Sequence, residues 1–179
     1  APTMLGEHQV INAATAMAAL DMLEPDFDVP MSARVEALQS VQWPGRLQQL
    51  VAAPWCPDGA ELWVDGGHNP AAGQSLAQQL AAWEGETHII VGMLNTKEAS
   101  SYLGPLLDQA TSVQTVASPQ QEATLTAEEL AGQAGEAAVA RASVQEALEQ
   151  IPSSATRVLI CGSLYLVGWV MAEQGIALD

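Results

Sequence analysis

Residues suited to chemistry gather where short apolar runs stop. The run "ELWVDGGHNP" (61–70) ends in a carboxylate, two glycines, a histidine and an Asn-Pro pair. Asp65, at a strand end beside glycines, is placed to accept hydrogen bonds from the hydroxyls of a ribose. Gly66 and Gly67 permit a tight strand-to-helix turn, with Asn69 capping the helix and Pro70 at its first position. His68 is one of 3 histidines in the chain. The run "RVLICGSLY" (157–165) ends at Ser163, where a capping hydroxyl and the next backbone N–H groups form a small anion-binding end. Arg46, in "WPGR", is one of only 5 Lys and Arg residues, and its guanidinium is a fork-shaped donor suited to a nucleotide phosphate. Each has a plainer reading: Asp65 and His68 solvated on a well-made turn, Arg46 a structural arginine, Ser163 only a cap.

These residues need elements to hold them. In residues 6–23, Ile11, Ala14, Ala18 and Met22 recur at helical spacing as an apolar stripe, and His8, Asn12 and Thr15 form a polar one. Asn12 could bond an adenine edge or be solvated, and spacing does not choose. "MSARVEALQSV" predicts a second short helix, so residues 1–42 form a helical appendage to a domain over 43–179. From Arg46 onward, strand candidates "RLQQLVA", "ELWVDG", "HIIVGML", "SVQTVAS" and "RVLICGS" alternate with helical stretches. The helices include "PAAGQSLAQQLAAW", "EASSYLGPLLDQA" and two near 126–150 that open with the capping-box pairs Thr126/Glu129 and Ser143/Glu146. The alternation predicts an α/β fold: a Rossmann-like, mostly parallel sheet flanked by helices. Ligands of such sheets gather beyond the carboxyl ends of the strands, so "DGGHNP", "NTKE" and "GSLY" are expected along one edge.

Composition narrows the function classes. A formal charge of -16, from 21 acidic and 5 basic residues, leaves no basic face for nucleic acid or an anionic membrane. With 49% hydrophobic residues the chain is a folded one, and its 2 cysteines lie far apart, which implies free thiols and a reduced, cytoplasmic setting. The sequence shows no signal-peptide pattern and no apolar run long enough to span a bilayer. It contains no G-x-x-x-x-G-K-[ST] or G-x-G-x-x-G, no serine-nucleophile elbow and no Cys/His metal cluster. Residue chemistry alone therefore stops at an acidic α/β domain with one polar edge that completes a site elsewhere.

The ordered set "GEHQVINAATAMAAL", "WPGRLQ", "DGGHNP", "GMLNTKE" and "CGSLYL" resembles the C-terminal third of the folylpolyglutamate synthase/dihydrofolate synthase family of the Mur ligase superfamily. The resemblance spans essentially the whole chain. It implies an ATP-dependent ligase in which ATP phosphorylates a carboxylate of dihydropteroate or a folate, and the amine of L-glutamate attacks the acyl phosphate. It also implies that residues 1–42 are the last helices of a central domain whose remainder carries the P-loop, the Mg2+ ligands and the pterin pocket. The fragment alone is then inactive. Carried over by position, Asn12 resembles the adenine-side contact, Arg46 the phosphate-binding arginine and Asp65 the ribose contact. His68 and Ser163 resemble the residues that place the incoming glutamate, with His68 in the catalytic role. Where the family usually has alanine this chain has Gly67, an exchange expected to be harmless. Thr96 and Glu98 replace two aspartates, which leaves Lys97 without an assigned role. The expected state is a monomer whose partners are small molecules and the central domain. Two other readings stay open: a peptidoglycan-precursor Mur ligase, and a stand-alone α/β binding domain.

Overall fold

The computed structural model describes residues 3–24, 26–51, 54–56, 58–95 and 99–176, the Glu7 side chain excepted. The chain forms two compact units, Ala1–Pro44 and Gly45–Asp179.

The first unit holds α1 (Glu7–Leu23) and α2 (Met31–Ser40). Arg34 of α2, 4% exposed, donates from Nε to Val29 O at 2.8 Å and pairs with Asp21 of α1. The expected apolar stripe of α1 is not the face that packs. Ile11 and Met22 are 68% and 84% exposed, whereas Ala13, Met17 and Leu20, on the opposite side, are half-buried. Apolar residues lie on both sides of this alanine-rich helix, so periodicity alone could not select the buried one.

The second unit is a six-stranded sheet in the order β1-β2-β6-β3-β4-β5. Its strands are β1 (Gln48–Gln49), β2 (Glu61–Asp65), β3 (Thr87–Val91), β4 (Ser112–Thr115), β5 (Ala138–Ala140) and β6 (Arg157–Cys161). Only the β1–β2 pair is antiparallel. The central strands β3 and β6 are buried along their whole length, because helices cover both faces and every side chain needs an apolar environment. Alternate strand residues face opposite ways. Ile89, Val91, Leu159 and Cys161 pack under α3 (Pro70–Ala82), α4 (Ala99–Leu107) and α5 (Ala127–Ala134) through Leu76, Leu80, Tyr102, Leu103, Leu106 and Leu130. Leu62, Val64, Ile90, Val158 and Ile160 pack under α6 (Val144–Glu149) and α7 (Leu164–Glu173) through Val144, Leu148, Leu166, Val170 and Met171.

Three local expectations change. Of the strand foreseen over 46–52, whose last residue lies outside the described ones, only Gln48–Gln49 is a strand, and Leu47, at φ 41, cannot extend it toward Arg46. The region 126–150 holds a strand between its helices: β5 pairs with β4 through Val113↔Ala138 and Thr115↔Ala140. Thr126 and Glu129 complete their capping box, but the Glu146 carboxylate turns to Ala142 N, so Ser143 caps α6 alone.

Candidate functional site

The sheet order builds the site. β6 lies between β2 and β3, and its last residue, Cys161, pairs with both Asp65 and Val91. The segments after these strands therefore start side by side; of the expected "NTKE" segment, residues 96–98 lie outside the described residues. From β2 the chain enters α3 on one face of the sheet, and from the adjacent β6 it enters α7 on the other. Helices departing in opposite directions from neighbouring parallel strands leave a crevice between their first turns, which is where open α/β sheets bind ligands.

Arg46 is brought to this crevice by its neighbours. Gly66 N donates to Gly45 O at 2.8 Å, and Leu47 N donates to Asp65 Oδ2 at 2.9 Å. Gly45 has φ 73 and Leu47 φ 41, so the turn that carries Arg46 runs through the left-handed region twice. That conformation costs a leucine about 1–3 kcal/mol. A backbone hydrogen bond to a carboxylate contributes about 1.5–3 kcal/mol and offsets it, and the Leu47 side chain is anchored in the core at 8% exposure. The Arg46 guanidinium, half-buried, makes no ion pair or side-chain hydrogen bond among the described residues. The other described arginines are engaged: Arg34 with Asp21, Arg141 with Gln114, and Arg157 with Glu61.

The turn after β2 is as tight as its glycines allow. Asp65 Oδ1 accepts from Gly67 N at 2.7 Å. A Cβ on Gly66 would lie 2.1 Å from Leu164 Cδ2, and one on Gly67 would lie 2.7 Å from Asp65 Oδ1 and 2.8 Å from Ala72 Cβ. In this chain an alanine at 67 would require the Asp65 carboxylate and α3 to shift. Asn69 caps α3 by accepting from Ala72 N at 2.9 Å, with Pro70 at the first turn. His68 is half-buried, and its Nδ1 lies 3.1 Å from Gly66 O. A carbonyl only accepts, so Nδ1 carries the proton and a neutral ring presents Nε2 as an acceptor.

Ser163 stands across the crevice. It is 3% exposed and caps α7 by accepting from Tyr165 N at 3.2 Å. Gly162 before it has φ 99, and a Cβ there would fall 2.8 Å from Gly92 O at the end of β3. Burial of Leu166, Val167, Val170 and Met171 holds the helix against the sheet, while Leu164 and Tyr165 are 43% and 56% exposed at its mouth. Beneath the site, burial and the Asp65 charge push the Cys161 thiol up to about 12, and burial raises Tyr102 well above its ordinary value. Both cysteines are free thiols.

Asn12 belongs to the first unit, where its Nδ2 donates to Gln9 Oε1 at 3.1 Å on the exposed surface of α1. Lys97 lies outside the described residues. Among the described residues no group of three or more His, Cys, Asp and Glu is arranged to hold a metal ion, and no helix is long and apolar enough to cross a membrane. The ties from Leu47 and Gly45 to the Asp65 turn were not visible in sequence. Their one signal was the glycine next to Arg46.

A mostly parallel α/β sheet with polar groups at adjacent strand ends is the class of domain the fold defines, the one in which ligands gather outside the carboxyl ends of the strands. Over residues 56–173 the chain matches the family described as dihydrofolate synthetase, C-terminal domain, and it belongs to that family. A probable dihydrofolate synthetase of Schizosaccharomyces pombe is 26% identical over 178 residues, which cover 91% of this chain and 42% of that protein. The folylpolyglutamate synthase of Mycobacterium tuberculosis, solved with ADP and AMPPCP, superposes with a TM-score of 0.82 at 25% identity. That match covers 97% of this chain and 41% of the other. The ligand-free bifunctional folylpolyglutamate synthase/dihydrofolate synthase of Yersinia pestis gives a TM-score of 0.79 at 27% identity, covering 97% and 41%. A bifunctional enzyme of the same name, solved with Mn, AMPPNP and L-glutamate, gives 0.79 at 28%, covering 97% and 40%. The chain spans about two fifths of the length of these relatives.

Proposed function

We propose that this chain is the C-terminal part of an ATP-dependent ligase that adds L-glutamate to dihydropteroate, to a folyl-polyglutamate, or to both, through an acyl phosphate. The observation that carries the reading is the crevice between α3 and α7. At the paired ends of β2 and β6 it has on one side the turn of an arginine with no partner among the described residues and on the other a buried serine at a helix start, in a chain with only 5 basic residues. Both groups favour anions, and the proposed substrates supply phosphates and carboxylates. ATP supplies the phosphoryl group that activates the acceptor's carboxyl.

In this reading Arg46 binds the nucleotide's phosphates and withdraws charge as the acyl phosphate forms. Asp65 accepts from the ribose hydroxyls, and Asn12 meets the adenine edge. Ser163 and the first N–H groups of α7 hold a carboxylate of the incoming glutamate. His68, protonated at Nδ1, presents Nε2 to orient the attacking amine. Residues 1–42 are proposed as the last helices of a central domain that bears the P-loop, the Mg2+ ligands and the pterin pocket, and the exposure of Ile11, Met22 and Phe27 supports that assignment. Mg2+, if bound, is assigned to that domain on the family resemblance.

The test is ADP release. The 179-residue chain alone is expected to release no ADP with glutamate and a folate or dihydropteroate. The full-length enzyme is expected to release it only when ATP, glutamate and one of these acceptors are all present. Turnover by the isolated chain would refute the division of labour. Turnover by the full-length enzyme only with a peptidoglycan precursor would refute the substrate.

A further inference from the structure

We propose that Asp65 is a positioning residue as well as a ligand contact: its carboxylate ties the Arg46 turn to the His68 turn and so sets the spacing of both groups across the crevice. The two oxygens are used separately. Oδ2 accepts from Leu47 N at 2.9 Å, a residue 18 positions earlier, and Oδ1 accepts from Gly67 N at 2.7 Å. A second rung, Gly66 N to Gly45 O at 2.8 Å, lies beside the first. Both neighbours of Arg46 are therefore fastened to the β2 turn, while the Arg46 side chain is held by no described protein group. A hydroxyl contact to a ribose calls for neither of these backbone bonds.

Chemistry makes the clamp specific for aspartate. Asparagine offers one acceptor oxygen and turns an N–H2 group toward the second backbone N–H, so one arm must open. Glutamate is longer by one methylene and displaces both arms. Gly67 belongs to the same device, because a Cβ there would crowd Oδ1 at 2.7 Å. The strained φ of 41 at Leu47 is where an opened arm would relax.

The catalytic half of this proposal rests on the ligase reading, but the clamp itself is measured without turnover. Amide hydrogen exchange of the protein, read residue by residue, compares wild type with Asp65→Asn. Leu47 or Gly67 N–H is expected to exchange at least about tenfold faster, the loss of one bond to a charged acceptor, while Ile89 and Ile160 in the core keep their rates. Unchanged exchange at both Leu47 and Gly67, or equal acceleration at all four, overturns the clamp. Should Asp65→Asn fail to fold, Gly67→Ala serves, with the same expected pattern and the same overturning results. In the full-length enzyme, the kcat losses of Asp65→Asn and Arg46→Ala should combine to less than their product, since Asp65 acts partly through Arg46. Losses that multiply fully would overturn the positioning role even with the clamp intact. If wild type shows the clamp but no glutamate ligation, the ligase reading fails alone.

Discussion

The two ends of the sheet treat the same residue type in opposite ways. At the amino end, Arg157 opens β6 and is 8% exposed. Its Nε donates to Glu61 Oε2 at 3.0 Å, its guanidinium lies 4.2 Å from the centroid of the Trp83 ring, and Trp63 Nε1 donates to the same carboxylate oxygen at 3.0 Å. Trp63 and Trp83 meet with centroids 5.0 Å apart. That cluster satisfies its arginine internally. At the carboxyl end the protein holds the backbone on both sides of Arg46 and leaves its charge without a described partner. An arginine fully engaged by protein contributes stability. One held only by its backbone keeps its binding capacity for something else.

The largest expected effect tests that contrast directly. Arg46→Ala in the full-length enzyme should lower the rate of ligation by ~10²–10³, the usual cost of one transition-state charge contact. Its melting temperature should stay close to wild type. Arg157→Ala should do the reverse, losing about 2–3 kcal/mol of stability with the buried, charge-assisted contacts and the ring contact, while catalysis per folded molecule is retained. Denaturant titrations and steady-state rates on both variants separate the two. Equal destabilisation by both would erase the distinction between the ends.

A smaller effect compares two helix caps. Ser163→Ala and Thr126→Ala each remove an N-cap and should each cost ~1 kcal/mol. Only Ser163→Ala should raise the KM for glutamate while that for ATP stays nearly constant, because a contact made in ground and transition states alike appears in KM. A rise in both constants, in step with lost stability, would leave Ser163 as a cap and no more.

The smallest effect is pH dependence at the amino end. The hydrogen bond from Trp63, together with the bond and charge of Arg157, lowers the Glu61 carboxyl below its ordinary 4.5 against the opposing effect of desolvation. A carboxyl lowered on folding binds fewer protons in the native state, so it adds stability above pH 4.5 that fades as pH falls below it toward the folded value. Glu61→Gln should therefore flatten the stability–pH curve in that acid window and leave the slope above it unchanged. An unaltered acid limb would show that the exposed side of Glu61 is too well solvated to matter.

Much of the architecture was legible because it depends on local pattern. Continuous apolar runs announced β3 and β6, and Asn69-Pro70, Thr126 with Glu129, and Ser163 announced helix starts, since a cap and its amide partner lie within a few residues. β5 escaped because alanines carry no strand preference: "AVA" is extended only through its pairing with β4. The face that α1 buries escaped for a related reason, both sides of the helix being apolar enough to pack.

For the candidate site, sequence alone determined which residues stand at strand ends: Asp65 and His68 after one apolar run and Ser163 after another, with Arg46 beside a glycine. Tertiary structure decided that the two strand ends lie side by side. β6 comes last in the chain and inserts between β2 and β3, and strand order is set by long-range pairing that leaves no local mark. It also decided that Asp65 reaches back to Leu47. A hydrogen bond across 18 residues exists only once the β1–β2 pair has formed, and no spacing rule along the chain encodes it.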